Sequence, residues 1–546
     1  MLSYRKLAMR VLGRPLHTGR IDSPRPASQR AAAFALTAAM LITLTAPAFA
    51  ETWYIENGDI TVKASGTEGK NTVSQGTNKD VVDTNTIITN QNKDTTSSHT
   101  VTIETNDKND KVEVTLKDVN IDTSSRNKAA VSVTGEGDTN IKLDGDNALK
   151  SDIYRSGIYG SGSGSLTISG GENDSLTAQG GSGANGISSS GSLTISGGTV
   201  TANGDDGGRG ISSSGSVTIS GGSTVTANGG SGTISGGDGI WSGGGVTISG
   251  GSTVTANGGN GGSLVGGSGI SNGGSLTVSD GTVTAKGGNG DSKDGYGGDG
   301  IRSGGGVTIS GNTVNAAGGY GGKVGGYGIC SFDRVGVAIS GGTVEAAGGN
   351  GSTGGGSGIY SSVIDLSGSL ELTAKAGSPN GKALSWAGHE LNLDDIKEKL
   401  GPGAKVTAIN ANGESKQVSI PRPVEPEKPV IPEESSSSSD GGSAAPSAPV
   451  STLPGLTVTD KDGQRISYTS TQSGNTLTVC VGRLTASLHV SLATLRQLRA
   501  EGIETIAFQT VLCSTTLSVD ELLAMGGEDA EAVLTHRLTD SSLTVG

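Results

Sequence analysis

One motif recurs eight times in this chain and constrains its fold more than any other feature of the sequence. Each copy contains a Gly-Ile pair, a Val/Leu-Thr-Ile segment, a Thr-Val-Thr-Ala segment and a run of glycines. A period of about 20 to 50 residues is typical of stacked units that bury their apolar faces only against neighbouring units. We therefore expect function to lie on a long, regular surface. The anchoring isoleucines, 24 to 31 residues apart, are Ile158, Ile187, Ile211, Ile240, Ile270, Ile301, Ile329 and Ile359.

Each repeat predicts three short strands, and the third repeat illustrates them. Its strands are Gly210-Ile211-Ser212, Val217-Thr218-Ile219 and Val225-Thr226-Ala227. The alternation predicts that the apolar residues point inward and that the Ser and Thr between them face solvent. Glycine and asparagine suit the corners because they tolerate positive φ, and β-branched residues suit stacked strands. The fold class predicted is mainly β, a right-handed single-stranded parallel β-helix.

Two further glycine-rich folds, collagen and the calcium-binding roll, do not fit the period of the repeat. The chain has 95 glycines and only 3% aromatic residues, a composition that alone suggests low complexity. Collagen needs glycine at every third residue, which this sequence lacks. Calcium-binding nonapeptide rolls need a nine-residue period. Residues 294–302 (DGYGGDGIR) match that pattern in all but the first position, and this near-match occurs only once.

The repeats end before the chain does, and the remaining sequence divides into further regions. Leu393, Ile396 and Leu400 have helical spacing in a segment suited to cap the last coil. A Pro- and Ser-rich linker precedes a region with strands near 476–481, 484–490 and 504–511 and helices near 491–501 and 518–525. The predicted organisation is a signal peptide (1–50), a β-helix (51–385, with irregular coils at 51–150 and regular repeats at 151–385), a cap (386–420), a linker (421–454) and a small α+β domain (455–546).

The first 50 residues indicate export. A basic stretch precedes the apolar run 31–44, and Ala48-Phe49-Ala50 fits a small-x-small cleavage site. The run is shorter than the ~20 residues of a spanning helix, although a membrane anchor is the alternative interpretation. We expect a secreted, extracellular protein, with the bacterial cell surface as a further location, and no membrane span in the mature chain.

Charge limits the partners of the mature chain. The net charge is -13, and removing the first 50 residues, with seven basic residues and one acidic residue, leaves -19. Such a chain repels nucleic acid, so we expect no nucleic-acid partner. An acidic polysaccharide would need a bridging cation, with calcium the candidate. An exported chain could also pair Cys480 with Cys513; two free buried thiols are the alternative.

No catalytic arrangement stands out, so we expect a protein that is not an enzyme. The five histidines form no Ser/His/Asp, Cys/His or metal-binding pattern. Loop carboxylates are the remaining candidates for chemistry. Solvated surface charge is the favoured interpretation, and calcium coordination and lyase or glycosidase catalysis are the alternatives. These carboxylates are Asp205, Asp206, Asp238, Asp291, Asp294 and Asp299, with Arg209 and Arg302 in the same loops.

A ladder of outward side chains is the candidate binding surface. The residue after each anchoring isoleucine falls in one register, so these side chains line up along the coils. Aromatic faces with polar neighbours suit sugar rings; the alternative for Trp241 is packing beneath a glycine loop. The outward ladder is Tyr159, Ser188, Ser212, Trp241, Ser271, Arg302, Cys330 and Tyr360, and the loop aromatics beside it are Tyr296, Tyr320 and Tyr327. Of these, Tyr159, Trp241, Arg302, Tyr360 and the three loop tyrosines are the candidate carbohydrate-binding residues.

The repeats also resemble a known family. The segment from Ser192 to Ala202 (SLTISGGTVTA), with its Gly-Ile anchors, is similar to secreted bacterial carbohydrate-binding β-helix proteins related in shape to pectate lyases. The segment from Val112 to Leu149 is similar to that family's opening coils. The resemblance covers roughly 80–385 and implies a non-catalytic β-helix that binds polysaccharide, in some members acidic polysaccharide with calcium. No calcium ligand of the family aligns with this sequence, and the region 455–546 lies outside the resemblance.

These observations together favour one function and leave two alternatives. The favoured function is an exported, non-catalytic protein that binds polysaccharide along the outer face of the β-helix. One alternative is a structural or adhesive surface rod whose C-terminal domain makes the contact. The other is a polysaccharide lyase or glycosidase; a lyase would need a catalytic basic residue, which the sequence does not identify.

Overall fold

A computed structural model of the chain describes residues 51–422 except residue 68, and residues 456–545 with gaps at 461–463, 467, 474, 482–484, 511–513, 526–530 and 537–540. The chain divides into two compact units, Met1–Pro426 and Glu427–Gly546, called unit one and unit two below. The predicted signal peptide and nearly all of the predicted linker lie outside the described residues. Among the described helices, none has the length and apolar character needed to span a membrane.

Unit one is a parallel β-solenoid, as the repeat predicted. Its described residues make about 13 turns, and each regular turn contributes three strand segments that pair in register with the turns before and after. The segments therefore form three columns, which we call the anchor column, the second column and the third column. The Gly-Ile pairs begin the strands of the anchor column, for example Ile211, which pairs with Ile187 and Ile240.

The anchor column is extended by antiparallel strands at both ends. Its parallel strands are Ile60–Ala64, Val101–Glu104, Val131–Thr134, Ile158–Gly160, Ile187–Ser189, Ile211–Ser213, Ile240–Ser242, Ile270–Asn272, Ile301–Ser303, Ile329–Ser331, Ile359–Ser361 and Leu384–Trp386. The antiparallel strands are Asn71–Gln75 and Asn78–Asp83 at the first end and His389–Glu390 at the other.

The second and third columns form one continuous sheet. The strands of the second column are Thr52–Tyr54, Thr86–Thr89, Lys111–Lys117, Asp138–Asp144, Leu166–Ser169, Leu193–Ser196, Val217–Ser220, Val246–Ile248, Leu276–Val278 and Val307–Ile309. Those of the third are Asn120–Asp122, Asp146–Lys150, Ser175–Ser182, Thr199–Asp205, Thr224–Asn228, Ser252–Asn257, Gly281–Lys286, Thr313–Ala317, Lys405–Ile409 and the antiparallel Ser415–Ser419. Two long strands, Val337–Ala347 and Ile364–Lys375, serve both columns.

The core is a stack of identical or similar aliphatic side chains. The predicted inward residues of the third repeat are all buried, at 0 or 1% exposure: Ile211, Val217, Ile219, Val225 and Ala227. Each contacts its counterpart one coil away, about 4.8 Å along the stack. Burial of β-branched side chains on successive strands is the main source of stability in such a stack.

Polar side chains also enter this core, which the alternation did not predict. The third residue of the anchor strand points inward, and its hydroxyl donates to a backbone carbonyl of the preceding coil. Ser213 donates to Gly191 O at 2.9 Å and Ser303 to Gly274 O at 2.9 Å. Each carbonyl also accepts a backbone N–H, from Gly215 at 3.4 Å and from Gly305 at 2.9 Å, so these bonds give the buried serine hydroxyls a partner. Ser212, predicted to face outward, is also buried, at 7% exposure.

Glycine serves two different purposes, of which the repeat pattern predicted one. At the corner between the second and third columns, glycines such as Gly221 and Gly222 have φ of 68° and 70°, as predicted. The glycine runs between the third column and the next anchor strand are different. In those runs a Cβ would collide with backbone: at Gly267 it would lie 1.9 Å from Gly237 O, and at Gly237 it would lie 2.0 Å from Gly208 O. These positions require glycine because a side chain would not fit.

These runs, which we call the glycine arms, are residues 229–239, 258–269, 287–300, 318–328 and 348–358. The two halves of each arm lie against one another and against the arms of adjacent coils. Their backbones form one continuous series of hydrogen bonds at 2.7–2.9 Å, from Gly230 N to Gly208 O, Gly237 N to Gly230 O, Gly259 N to Gly237 O, Gly267 N to Gly259 O, Gly288 N to Gly267 O and Gly298 N to Gly288 O.

The glycine arms generate a stability prediction. Gly267→Ala should destabilise unit one by about 1–3 kcal/mol or more, because the added methyl overlaps a carbonyl oxygen and the arms must separate. Gly354→Ala is the matched control: it lies in a glycine arm too, but its added Cβ would meet only Val324 methyls at an ordinary 3.8 Å. Thermal unfolding of the full chain followed by circular dichroism measures both. Equal apparent Tm values for the two variants would contradict the close-packing account.

The last coil is covered by a short segment with the predicted apolar spacing. The segment forms a 3-10 helix at Leu393–Lys399 in place of the expected α-helical spacing. Leu393, Ile396 and Leu400 are buried and belong to the same apolar cluster as the coils. Another 3-10 helix, Ile55–Asn57, lies at the first end.

Unit two contains small sheets and few helices. Its strands are Leu456–Thr459, Thr469–Ser473, Thr476–Cys480, Ala486–Ser491, Thr505–Gln509, Ser514–Ser518, Glu531–His536 and Ser541–Val545, and its helices are Leu492–Ala500 and Val519–Met525. Apolar residues from both sheets and both helices form its core, including Phe508 and Leu495. Cys480 forms no disulfide within the described residues, and its thiol donates to Gln509 Oε1 at 3.2 Å. Cys513 lies outside the described residues.

Candidate functional site

A groove runs between the glycine arms and the anchor column of unit one. Its volume is about 320 Å³, within the range of small-molecule sites. Because its base is formed by glycine backbone, a ligand could approach the main chain closely. The lining residues are Val265, Gly266, Ser268, Tyr296, Gly297, Gly298, Asp299, Arg302, Val324, Gly325, Gly326 and Tyr327.

Tyr296 forms the wall on the glycine-arm side. It lies in register with Val265 and Val324 of the neighbouring arms, and its ring is 45% exposed. The Lys323 ammonium lies 5.6 Å from the centre of that ring, a cation–π contact that holds a positive charge at the edge of the groove.

Tyr327 lines the groove beside the anchor column and stacks on Tyr360 of the next coil. The rings of Tyr327 and Tyr360 are 4.7 Å apart and inclined by 16°, and Phe332 lies 6.1 Å from Tyr360. Burial raises the pKa of Tyr327 to about 12, and the nearby Tyr360 and Asp299 contribute to that rise. The Tyr327 hydroxyl is therefore a neutral hydrogen-bonding group at physiological pH.

Asp299 lies at the centre of this cluster. Its Oδ1 accepts the backbone N–H of Tyr327 at 2.7 Å, and its Oδ2 accepts from Arg302 Nη1 at 3.2 Å and from the Cys330 thiol at 3.3 Å. Burial raises the pKa of the Asp299 carboxyl, although the Tyr327 N–H and Arg302 oppose that shift. The Arg302 guanidinium in turn lies over Phe332, 4.7 Å from the ring centre.

An equivalent cluster surrounds Trp241. The Arg209 guanidinium lies 4.4 Å from the centre of the Trp241 ring, and its Nε donates to Asp238 Oδ2 at 3.3 Å. Asp238 Oδ1 accepts the backbone N–H of Ser268 at 2.8 Å. Burial raises the pKa of Asp238, and the Ser268 N–H and Arg209 oppose the shift.

Asp238 and Asp299 occupy the same position of the repeat in their two clusters. The repeat pattern placed them in register but did not predict that this position forms hydrogen bonds between coils. The residue immediately before each Gly-Ile pair lines up from coil to coil, and an acceptor there receives the N–H of the same position in the next coil. Asn185, Asp238 and Asp299 accept from Arg209, Ser268 and Tyr327 in this way. Asp238 and Asp299 therefore hold the coils together as well as holding arginines. Arg209, Ser268, Lys323 and Phe332 belong to the clusters and were not predicted as binding residues.

The outward ladder has the predicted register, but its exposure is uneven. Tyr159, Trp241, Arg302 and Tyr360 fall in one series of paired positions. Cys330, predicted to face outward, is fully buried because Asp299 and neighbouring groups cover it; burial raises its pKa well above the ordinary value.

The predicted binding residues divide into two groups. Trp241, Arg302, Tyr327, Tyr360 and Tyr296 form the groove and its adjoining clusters. Tyr159 is exposed three coils before Trp241, and Tyr320 is exposed on a glycine arm outside the groove lining.

The six candidate calcium-binding aspartates do not converge. Asp238 and Asp299 are paired with arginines, whereas the other four are exposed: Asp205 and Asp206 at the end of strand Thr199–Asp205, and Asp291 and Asp294 in the glycine arm 287–300. Within the part of the chain that the structure describes, no group of three or more His, Cys, Asp or Glu side chains is placed to hold a metal ion.

A larger depression, about 430 Å³, lies on the second column among the first coils. It is lined by polar and aliphatic residues such as Lys111, Glu113 and Asp138. We place the candidate site at the smaller groove. Of these two depressions, it is the one where aromatic faces, a guanidinium group and accessible backbone meet.

Comparison of this chain with protein-family models, with curated proteins and with solved structures finds no match.

The raised pKa of Asp299 generates a pH prediction. Between the ordinary carboxyl pKa and the raised one, the folded chain binds more protons than the unfolded chain, so the free energy of unfolding falls as pH rises through that range. Asn at this position keeps an acceptor for the Tyr327 N–H but cannot titrate. As the pH is lowered from about 7 to about 4.5, the apparent Tm of the wild type should rise relative to that of Asp299→Asn. A Tm difference that is constant, or that shifts the other way, would show that Asp299 does not titrate as described.

Proposed function

We propose that this chain is an exported, non-catalytic carbohydrate-binding protein that holds an extended polysaccharide in the groove of unit one. The observation that carries the proposal is the meeting of Tyr296, Tyr327 and Arg302 around a base of bare glycine backbone. The adjoining Trp241 and Tyr360 extend this surface along the same face.

The chemistry of the groove suits sugar rings. A sugar presents apolar C–H faces that pack on aromatic rings, together with hydroxyls that need donors and acceptors. The tyrosine and arginine side chains supply both kinds of group within one site. A few polar groups beside apolar surface are the usual composition of a small-molecule site.

The geometry favours a polymer over a single sugar. Coils repeat about every 4.8 Å, and the Trp241 and Phe332 rings lie three coils apart, or about 14 Å. A ligand that reached both rings would have to be extended along the stack. Polysaccharides outside the cell fit that description, in agreement with the export predicted from the first 50 residues.

Removal of one aromatic wall tests this function. Tyr296→Ala should weaken binding to a recognised polysaccharide about 5- to 10-fold, because an aromatic contact contributes about 1 kcal/mol. Trp241→Ala should weaken binding of long chains similarly and short oligosaccharides less. Affinity electrophoresis or calorimetry with the full chain, on polysaccharides identified from a glycan array, provides the measurement.

Tyr320→Ala is the matched control, since Tyr320 is similarly exposed, at 48% against 45% for Tyr296, but lies outside the groove. Its affinity should equal that of the wild type. If Tyr296→Ala also binds like the wild type while deletion of residues 455–546 abolishes binding, the helix is a spacer and the adhesive-rod alternative is correct.

A further inference from the structure

Two arginines, Arg302 in the groove and Arg209 in the adjoining Trp241 cluster, are held in the same unusual way. Each guanidinium packs on an aromatic ring and is fixed from behind by a carboxylate, Arg209 by Asp238 at 3.3 Å and Arg302 by Asp299 at 3.2 Å. The carboxylates are the more buried partners: the exposed fractions are 18% for Asp238 and 7% for Asp299, against 38% and 52% for the arginines. The arginine side chains are therefore more accessible to a ligand than the carboxylates that hold them.

This arrangement leaves donors for a ligand. A guanidinium carries five N–H groups in a planar fork that matches a carboxylate. Within the described residues, Arg302 donates to Asp299 through Nη1 and Arg209 donates to Asp238 through Nε. Because ring and carboxylate already fix each side chain, a ligand would lose little side-chain freedom on binding.

The two arginine arrangements use different positions of the repeat. Arg209 precedes its Gly-Ile pair, whereas Arg302 follows one, and their aromatic partners also occupy different positions. Both nevertheless place a guanidinium over a ring, on one face, about 14 Å apart along coils that repeat every ~4.8 Å. With Lys323 beside Tyr296, three cationic side chains lie in the groove or next to the aromatic residues that adjoin it.

We propose that the groove selects acidic polysaccharides, because Arg302 and Arg209 bind uronate carboxylates directly without a bridging cation. This inference rests on the proposed function and names its substrate class. The net charge of the chain does not prevent it, since fields from distant charges are screened beyond about 8 Å at physiological ionic strength. Charge-assisted, bidentate contacts of this kind are stronger than neutral hydrogen bonds.

The experiment compares matched polymers on the full chain. Polygalacturonate should bind at least 10-fold more tightly than its methyl-esterified form, in which the carboxylates are masked. Arg302→Gln should lower the affinity for polygalacturonate about 10-fold and that for the esterified polymer much less, so that the ratio of the two affinities falls. Arg302→Lys should restore only part of the affinity, because lysine keeps the charge but not the planar fork.

Arg155→Gln is the control for net charge, since Arg155 is exposed and far along the chain from the groove. Its affinity should match that of the wild type, and the Tm of each variant shows whether unit one remains folded. If Arg302→Gln unfolds the chain, two other comparisons test the proposal: acidic against methyl-esterified polymer on the wild type, and Arg302→Lys against the wild type.

Three outcomes would overturn the inference. Loss of polygalacturonate binding in chelator would mean that a divalent cation bridges the partners. Equal affinity for dextran sulfate or RNA would mean that the groove responds to charge alone. Equal binding of the esterified and acidic polymers, still weakened by Tyr296→Ala, would refute carboxylate recognition while leaving the proposed function intact; binding of neither kind of polymer, nor of any other polysaccharide, would refute both.

Discussion

The packing of bare glycine backbone against bare glycine backbone is the constraint on which unit one depends. A Cβ atom at Gly237 or Gly267 would lie within about 2 Å of a carbonyl oxygen, so no other residue fits. That proximity allows hydrogen bonds to run continuously from arm to arm across successive coils. Glycine costs more backbone entropy on folding than any other residue, and the continuous hydrogen bonds and the aliphatic stack beside them must offset that cost.

The same packing determines where a ligand can bind. Thin glycine arms bring the main chain to the base of the groove and leave side chains only at chosen positions, such as Tyr296 on an arm and Tyr327 beside the anchor column. Stacking then repeats those positions along one face. The buried carboxylates of Asp238 and Asp299 link the stacking of the coils to the candidate site. Each accepts an N–H from the next coil and also fixes an arginine.

The sequence predicted the solenoid, its three strands per repeat and the inward residues, because a strict register relates each apolar position to the next. It also predicted that Trp241, Arg302 and Tyr360 share one line. It could not predict which outward residues stay exposed: Cys330 is covered by Asp299, a residue 31 positions away. Arg209 and Phe332 were missed because contacts between coils depend on side-chain direction, which a repeat pattern does not specify. The need for bare backbone in the glycine arms was missed, since composition cannot distinguish freedom of φ from lack of space.

Hydroxyl-radical footprinting of the full chain with and without a bound polysaccharide tests the central claim most directly, because aromatic side chains report their own exposure. The account predicts that polymer protects Trp241, Tyr296, Tyr327, Phe332 and Tyr360 together, whereas Tyr154 and Trp386, which are 78% and 48% exposed elsewhere on unit one, react as in the free protein. Protection confined to unit two, or spread equally over Tyr154 and Trp386, would contradict a ligand held in the groove.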